Sequence, residues 1–405
     1  MADVTPNESA DGTDKQSLSQ QPQTLMPRPN RGDIVEVTVD RLAHGGNGVA
    51  RTSDGYVVFV GGAIPGDVVK ARIGKRKRHY AEAKLVDIVT PSADRIEPVA
   101  HHPGAAWQVM PYELQLKHKA EQVQDALTRI GKLDGFDLRE IVGADEQWRY
   151  RNKFEFSFGT NEDGTLACGF HAPGSWHEIV DLDDCMLQSE AGNAVRRAVV
   201  EWAKSKGYRA HDRRDGTGEL RHLVIREGRR TGETQVRLVI AAGKEVDTAS
   251  LAETIDVDSL VLTEIDSLGE TTAGGDSEVI SGSAKITEEL SGMRFRLSPE
   301  AFFQTNTEMA EKLYAKAAEA AALEGWERLY DLYCGIGTIG LSLASRAGEV
   351  WGLEIVEEAI ADAIENARIN EISNAQFFAG DTRLPLREVV QHARPAPAAN
   401  SLSPP

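Results

Sequence analysis

A glycine-rich loop is the segment of this chain whose residue types best suit ligand chemistry. In YDLYCGIGTIG a strand is predicted to end at Asp331 and a helix to begin near Thr338, with Gly335 and Gly337 between them. Glycines let the backbone approach a ligand closely, and the start of a helix attracts negative charge. Glu354 ends the next predicted strand, where an acid can bind a ribose hydroxyl. The pattern predicts a loop that binds a nucleotide-like cofactor.

The loop by itself leaves two cofactors open. Its spacing, Gly335-x-Gly337-x-x-Gly340, also fits the dinucleotide fingerprint, so NAD and S-adenosylmethionine are both compatible with it. Two features favour S-adenosylmethionine: Asp331 can face the methionine ammonium, and the loop follows segments typical of an RNA-binding module. A plain strand-to-helix turn is a third interpretation, but it requires fewer glycines and no acid at the strand end.

The segment ARIGKRKRHYAEAKL concentrates positive charge beside an aromatic residue. Its candidates for RNA contact are Arg72, Lys75, Arg76, Lys77, Arg78 and Tyr80. Cations neutralise phosphates and an aromatic ring stacks on bases, whereas a solvated charged hairpin is the alternative. With 45 Lys and Arg against 63 Asp and Glu, a net charge of −18, the chain is no bulk electrostatic binder, so RNA contacts must be local. Weaker candidates further along are Arg149, Arg151, Asn152, Lys153, Arg221 and His222.

The strand and helix patterns along the sequence predict a multidomain chain of α+β and α/β class. Short alternating runs with turn signals predict a small OB-like β-barrel over residues 31–99. A leading helix followed by strand-like stretches predicts a β-rich domain over 100–300. Strand, glycine loop and helix alternate over 301–390, which predicts a Rossmann-like domain that is incomplete because it has room for only three strands. Tails over 1–30 and 391–405 are predicted to be disordered.

The cysteines and the hydropathy pattern indicate a compartment. Cys168, Cys185 and Cys334 lie far apart and form neither a CxxC pair nor an even disulfide framework, which fits a reducing cytoplasm. No run of about 18 apolar residues is present, and the N-terminus lacks a basic start followed by an apolar stretch. A cytoplasmic monomer without membrane insertion is therefore predicted.

Five segments, in this order, resemble those of the RNA 5-methyluridine methyltransferases. They are RNKFEFSF, GELRHLVIREG, SPEAFFQTNTEMAEKLY, DLYCGIGTIGLSLA and GLEIVEEAIADAIENARIN. The barrel resembles the TRAM domain of that family, so the resemblance extends from residue 31 to about residue 390. It implies S-adenosylmethionine-dependent methylation of uridine C5 in ribosomal or transfer RNA.

The resemblance also implies individual cofactor contacts. Gln304, Tyr333 and Glu354 match positions that bind S-adenosylmethionine in the family, and Thr338 is assigned with them. Asp381 lies where an acidic or amide side chain approaches the adenine amine, although an ordinary helix N-cap is the alternative. For Gln304 the alternative is a surface polar residue that flanks a helix.

A first departure from the family concerns metal. Many relatives hold an iron–sulfur cluster with four cysteines, three of them just before a W/LQ pair, but this sequence reads AHHPGAAWQ there. Only Cys185 resembles the fourth ligand, and one thiolate cannot hold a cluster that needs four protein ligands. His101 and His102 are adjacent, so their side chains do not readily converge on one ion. Neither a cluster nor another metal is predicted.

A second departure concerns catalysis. The family adds a cysteine thiolate to C6 of uracil so that C5 attacks the donor methyl; a base then removes the C5 proton and the thiolate leaves C6. That cysteine and base follow the third strand in the family, and this sequence reaches Pro405 with neither an Asp-Pro-Pro nor a Ser-Cys-Asn-Pro motif. A form lacking its catalytic end is therefore expected, and no catalytic residue is assigned. Cys168 and Cys334 are expected to be structural thiols. An RNA-binding protein without turnover and an NAD-dependent oxidoreductase remain the alternative functions.

Overall fold

The structure is a computed structural model that describes residues 28–175, 177–267 and 269–380. The predicted tail over 391–405 and nearly all of the predicted N-terminal tail lie outside these residues. Among the helices of the described segments, none is long and apolar enough to span a bilayer.

The described chain forms two compact units. Residues up to Pro98 group with Ala106–Arg139, and Val99–Ala105 group with the residues from Glu140 onward. The predicted limits of three domains are not tested by this grouping and remain predictions.

The first unit is built on a closed five-stranded barrel with the strand order β1-β2-β3-β5-β4. Its strands are β1 Ile34–Leu42, β2 Gly48–Arg51, β3 Val57–Gly61, β4 Val68–Arg76 and β5 Tyr80–Thr90. Because successive side chains of a strand point to opposite faces, alternate residues such as Val37, Val58 and Ile73 fill the interior. The predicted barrel is confirmed.

A helix, α1 Tyr112–Asp125, continues through a π-helical turn over Ala126–Ile130 and belongs to the same unit. The Gln122 side chain donates to the carbonyl oxygen of Ala43 at 2.9 Å, which ties the helix to the barrel. The apolar stripe of this helix is half-buried at Leu114, Leu116 and Leu127 and exposed at Val123 and Ile130. The helix predicted from the periodicity is present.

The second unit begins with a seven-stranded sheet of order β12-β11-β10-β9-β6-β7-β8. The strands are β6 Lys153–Thr160, β7 Leu166–His171, β8 Ile179–Asp181, β9 Leu220–Glu227, β10 Thr234–Ala241, β11 Ser259–Ile265 and β12 Asp276–Gly282. Two helices, α2 Glu190–Lys206 and α3 Thr248–Thr254, contribute apolar residues to the core of the sheet, including Trp202 and Leu251. The β-rich middle region is confirmed, and α2 adds a long helix to it.

The rest of the unit contains the predicted alternation of strands and helices. Its elements are the hairpin β13 Ile286–Leu290 and β14 Met293–Leu297, then α4 Thr307–Ala321, β15 Arg328–Leu332, α5 Thr338–Leu343, β16 Glu349–Glu354, α6 Glu357–Ile369 and β17 Ala375–Ala379. Strands β15, β16 and β17 pair in parallel in that order. Within the described part of the chain, β15 has β16 as its one hydrogen-bonded neighbour, as expected for an incomplete Rossmann-like sheet.

Helix α6 binds the backbone next to it through three polar side chains spaced four residues apart. Asn370 accepts from the amide of Arg294 at 2.9 Å and donates to its carbonyl. Asn366 bonds Arg296 in the same way, and Asp362 accepts from the amide and hydroxyl of Ser298. Four helical residues rise about 6 Å and two strand residues about 6.8 Å, so the two spacings match. We call these three side chains the α6 ladder.

Candidate cofactor and RNA sites

The predicted glycine loop lies between β15 and α5. Strand β15 ends at Leu332, one residue beyond the predicted end, and α5 begins at Thr338 as predicted. Tyr333, Gly335 and Gly337 have φ values of +64°, +54° and +84°, in the left-handed region. For a tyrosine this conformation costs about 1 kcal/mol or more, and such strain is concentrated at functional sites. The 73% exposed Tyr333 side chain thus lies at a strained position beside the loop.

Two glycines of the loop are required for close packing. A Cβ atom at Gly337 would lie 3.2 Å from the Phe377 ring, and one at Gly340 would lie 2.9 Å from Oδ2 of Asp331. A Cβ at Gly335 would have no heavy atom within 4 Å. Gly335 therefore faces open space, which a ligand could fill, whereas Gly337 and Gly340 hold the loop against the sheet.

Asp331 helps to fix the loop. Its Oδ2 accepts a hydrogen bond from the amide of Gly340 at 2.8 Å. Burial raises the pKa of Asp331, and the bond from Gly340 opposes that rise. One carboxylate oxygen is thus used within the protein, so the predicted contact with a methionine ammonium would have to use the other oxygen.

Glu354 is the last residue of β16 and lies beside the glycine loop. Its Oε2 accepts from the amide of Gly335 at 3.2 Å, and its Oε1 accepts from the amides of Ile355 and Val356 at 2.7 and 3.1 Å. The carboxylate is partly exposed, so it can still accept hydroxyl donors. Three of the roughly four acceptor positions of the carboxylate are thus used within the protein, and the position left on Oε2 can accept one ribose hydroxyl.

The remaining cofactor candidates lie on neighbouring elements. The Thr338 hydroxyl is 3.2 Å from the hydroxyl of Tyr314 on α4. Gln304 follows Phe303, which packs in one apolar cluster with Ile336 of the glycine loop. Asp381 lies outside the described residues. Thr338 and Gln304 are therefore associated with the same loop, and the role of each remains a prediction.

Asn152 supports the segment that carries Gln304. Its side-chain amide donates to the carbonyl of Gln304 at 2.9 Å and to the hydroxyl of Thr307 at 3.0 Å. Its backbone amide donates to the carbonyl of Thr305 at 2.8 Å. Because Asn152 is only 2% exposed, it holds this segment in place and is not on the surface for RNA. An asparagine within the polar stretch RNK gives no sequence signal of this distant partner.

Two other weak RNA candidates also have internal partners. Arg221 donates to the carbonyls of Ile265 and Ser267 at 2.9 and 2.7 Å. His222 is 4% exposed, with Nδ1 3.3 Å from the Ser157 hydroxyl. Burial lowers the pKa of His222 to about 4, so the ring is neutral at pH 7. These two residues are parts of the protein interior.

The basic run of the barrel is exposed around the turn between β4 and β5. Arg28, Arg76, Lys77 and Arg78 line an open cavity of about 570 Å³. The hydroxyl of Tyr56 lies 2.6 Å from the carbonyl oxygen of Lys77, which anchors the turn. We call these four cationic residues the barrel basic patch.

Arg28 is the member of the barrel basic patch that the sequence did not reveal. It lies in a polar segment that was predicted to be disordered. Its guanidinium lies 5.5 Å from the centre of the Tyr56 ring and donates to the carbonyl of Arg78 at 3.2 Å. Lys75 and Arg72, also predicted for RNA, lie on β4, where Lys75 is 3.7 Å from Glu82.

All three cysteines of the sequence are buried. Burial raises the pKa of Cys168 and of Cys334 to about 12 and also raises the pKa of Cys185. The Sγ of Cys185 lies 3.5 Å from Nε2 of the buried His102. A nucleophilic cysteine is exposed and has a lowered pKa. None of the three thiols therefore has the environment of a nucleophile.

The described residues contain no group of three or more His, Cys, Asp or Glu that could hold a metal ion. Three cysteines in the whole sequence also fall short of the four thiolates of an iron–sulfur cluster. The donor set does not fit such a cluster. The glycine loop, by contrast, fits S-adenosylmethionine, since Gly335 is open and Glu354 lies beside it.

Comparison with known proteins gives two family matches. The TRAM domain family matches residues 28–86, and the tRNA (uracil-5-)-methyltransferase family matches residues 273–392. An uncharacterized RNA methyltransferase of Halalkalibacterium halodurans is 40% identical over 361 residues, which cover 87% of this chain and 78% of that protein. An uncharacterized RNA methyltransferase of Bacteroides thetaiotaomicron is 37% identical over 381 residues, which cover 87% of this chain and 84% of that protein.

A solved structure agrees with these matches. The tRNA (uracil-54, C5)-methyltransferase of Pyrococcus abyssi, in complex with S-adenosyl-L-homocysteine, superimposes with a TM-score of 0.71 and 26% identity over 86% of this chain and 79% of that one. The predicted family, fold class and cofactor are confirmed. The chain belongs to the S-adenosylmethionine-dependent RNA (uracil-5-)-methyltransferases that carry an N-terminal TRAM domain.

Proposed function

We propose that this chain binds S-adenosylmethionine at the glycine loop and RNA at the barrel basic patch, for methylation of uridine C5 in ribosomal or transfer RNA. The observation that carries the cofactor assignment is the Glu354 carboxylate, which accepts from the amide of Gly335 beside open space. When bound, S-adenosylmethionine supplies an electrophilic methyl group. Glu354 would hold the cofactor by accepting from a ribose hydroxyl, and the open backbone at Gly335 would leave room for the ligand.

The residues around the loop have distinct tasks in this proposal. Asp331 fixes the start of α5 and offers its second oxygen to the ammonium group. Gln304 and Tyr333 would contact the ligand, as the family resemblance implies, and Thr338 lies at the start of α5. At the barrel basic patch, Arg28 and the cations of the β4–β5 turn bind phosphates, which positions the RNA without reading its sequence.

The transfer itself requires a thiolate at C6 of uracil, because C5 alone is a poor nucleophile. All three thiols of this chain are buried, and burial raises the pKa of each, which is the opposite of what a nucleophilic thiolate needs. We therefore infer that the 405-residue chain binds both ligands and does not turn over on its own. An RNA-binding protein without turnover is the alternative function.

Two measurements test the proposal. Isothermal titration with S-adenosyl-L-homocysteine and, separately, with NAD identifies the cofactor, and binding of NAD alone would contradict the assignment. Release of tritium from RNA that carries 5-tritiated uridine reports attack at C6 and loss of the C5 proton. We expect no release, whereas release by the unmodified chain would require one of the three cysteines to act. Single Ser substitutions at Cys168, Cys185 and Cys334 would then identify it.

The state of the protein in the cell is part of the proposal. We infer a cytoplasmic location, which the three free and buried cysteines support, since such thiols persist in a reducing compartment, and we propose a monomer. Sedimentation equilibrium at micromolar concentration tests the oligomeric state. A mass near the 44.1 kDa of one chain is expected, and a dimer mass would contradict it.

A further inference from the structure

Asn366, the central member of the α6 ladder, contacts two segments that are far apart in sequence. Its Oδ1 accepts from the amide of Arg296 at 2.7 Å. Its Nδ2 donates to the carbonyl of Ile336 in the glycine loop at 3.2 Å and lies 3.4 Å from the carbonyl of Arg296. Asn366 is fully buried, with 0% exposure. It therefore joins the cofactor loop to β14 directly.

The hydrogen-bonding capacity of this amide is well used. An asparagine side chain has two N–H donors and one carbonyl acceptor, and a buried polar group without partners is costly. Asn366 directs its donors to two carbonyls and its acceptor to one amide. Its place on the buried face of α6, beside Ala363 and Ala367, is thus explained by these contacts alone.

The bond to Ile336 restrains the part of the loop that has the greatest conformational freedom. Ile336 lies between Gly335 and Gly337, both of which have positive φ values. A peptide flanked by glycines can rotate at low cost. The Ile336 carbonyl and the Gly337 amide belong to one peptide plane, so holding the carbonyl fixes the amide as well. That amide donates to the backbone carbonyl oxygen of Cys334 at 2.9 Å.

The contact of Asn366 with Arg296 of β14 connects it to the segment of Gln304, another cofactor candidate. Strand β14 continues into the segment that carries Gln304, and Asp362 of the α6 ladder holds that segment at Ser298. The opposite end of the ladder, Asn370, makes the same pair of bonds to Arg294 and none of its hydrogen bonds reaches the glycine loop. The bond to Ile336 is thus what distinguishes Asn366 within the ladder.

We propose that Asn366 is a positioning residue, which sets the backbone of the glycine loop relative to the segment of Gln304 so that both meet the same cofactor. This inference rests on the proposed cofactor site. It predicts that Asn366 contributes to cofactor affinity beyond its contribution to stability, and that Asn370 contributes to stability only.

The test uses two matched pairs of variants in the full chain, N366A with N370A and N366D with N370D. The Ala pair removes the whole contact with β14 at either position, and at Asn366 it also removes the bond to the loop. The Asp pair keeps an acceptor for the strand amide and removes the donor, so at Asn366 it isolates the loss of the bonds to the two carbonyls. Affinity for S-adenosyl-L-homocysteine is measured by isothermal titration at a temperature where circular dichroism shows each variant to be folded.

We expect the dissociation constant to rise about tenfold in N366A and in N366D, as for one lost hydrogen bond in a binding loop, and to change less than about twofold in the Asn370 variants. Equal weakening at both positions, or wild-type affinity in the Asn366 variants, would overturn the inference. If the wild-type chain itself does not bind S-adenosyl-L-homocysteine, the proposed function fails and this inference fails with it.

Discussion

Gly335→Ala provides a sharp test of where the cofactor binds. The φ of Gly335 is +54°, close to the left-handed conformation that an alanine adopts at a cost of about 1 kcal/mol. In the ligand-free protein the added Cβ has no heavy atom within 4 Å. The substitution should therefore lower the free energy of unfolding by only about 1 kcal/mol. A ligand that approaches the backbone at this position would meet the new methyl group directly.

The effect on affinity should exceed the effect on stability. If the Cβ displaces the ligand by even a few tenths of an ångström, the loss of contacts and of the Glu354 geometry should weaken binding at least about tenfold, or about 1.4 kcal/mol. Two other glycines calibrate this result. Gly243, with φ +73° and no atom within 4 Å of its Cβ, has the same backbone penalty away from the loop. Gly337→Ala adds a Cβ 3.2 Å from Phe377, so it should lower both stability and affinity.

The assays are urea unfolding followed by circular dichroism and isothermal titration with S-adenosyl-L-homocysteine. Gly335→Ala and Gly243→Ala should unfold alike, and only Gly335→Ala should lose affinity. Wild-type affinity in Gly335→Ala would show that the cofactor does not approach the loop backbone, which would refute the assignment of this site.

Three further outcomes are expected. Replacing Arg76, Lys77 and Arg78 by Ala should weaken RNA binding across sequences and reduce the slope of log affinity against log salt by about 2, and an unchanged slope would remove the barrel basic patch from the interface. Because the pKa of His222 is lowered to about 4 from 6.5, its contribution to stability is complete above pH 6.5 and is lost as the pH falls toward 4. That loss is about 3 kcal/mol, and it should disappear from urea titrations of His222→Gln. Protein purified anaerobically should be colourless and free of stoichiometric iron, and a broad absorbance near the visible blue with bound iron would contradict this.

The glycine loop and the barrel could be predicted from sequence because their signals are local. The glycines between Asp331 and Thr338 specify a strand-to-helix turn wherever they occur, and alternating residues specify strands. The order of the five family-like segments along the chain then indicated the order of the domains. The helix α1 was predicted from the same kind of local pattern, but its burial depends on what packs against it, which periodicity does not reveal.

The supporting residues could not be predicted because their partners are distant in sequence. Asn152 lies 152 residues from Gln304, and Asn366 lies 70 residues from Arg296. An isolated asparagine has the same appearance in sequence whether it caps a helix, faces solvent or bonds a remote backbone. Arg28 was missed for a related reason, since it becomes a part of the barrel basic patch only when its segment lies against Tyr56.

The α6 ladder limits how the length of this chain can change. Its three side chains meet alternate positions from Arg294 to Ser298, and both spacings must stay in step over the whole contact. A single inserted or deleted residue within Asp362–Asn370 would rotate the later side chains by about 100° around the helix axis. An inserted or deleted residue within β14 would turn the residues that follow it to the opposite face of the strand. Length variation in this region should therefore be confined to the turns, such as Ser291–Gly292, where neither spacing is interrupted.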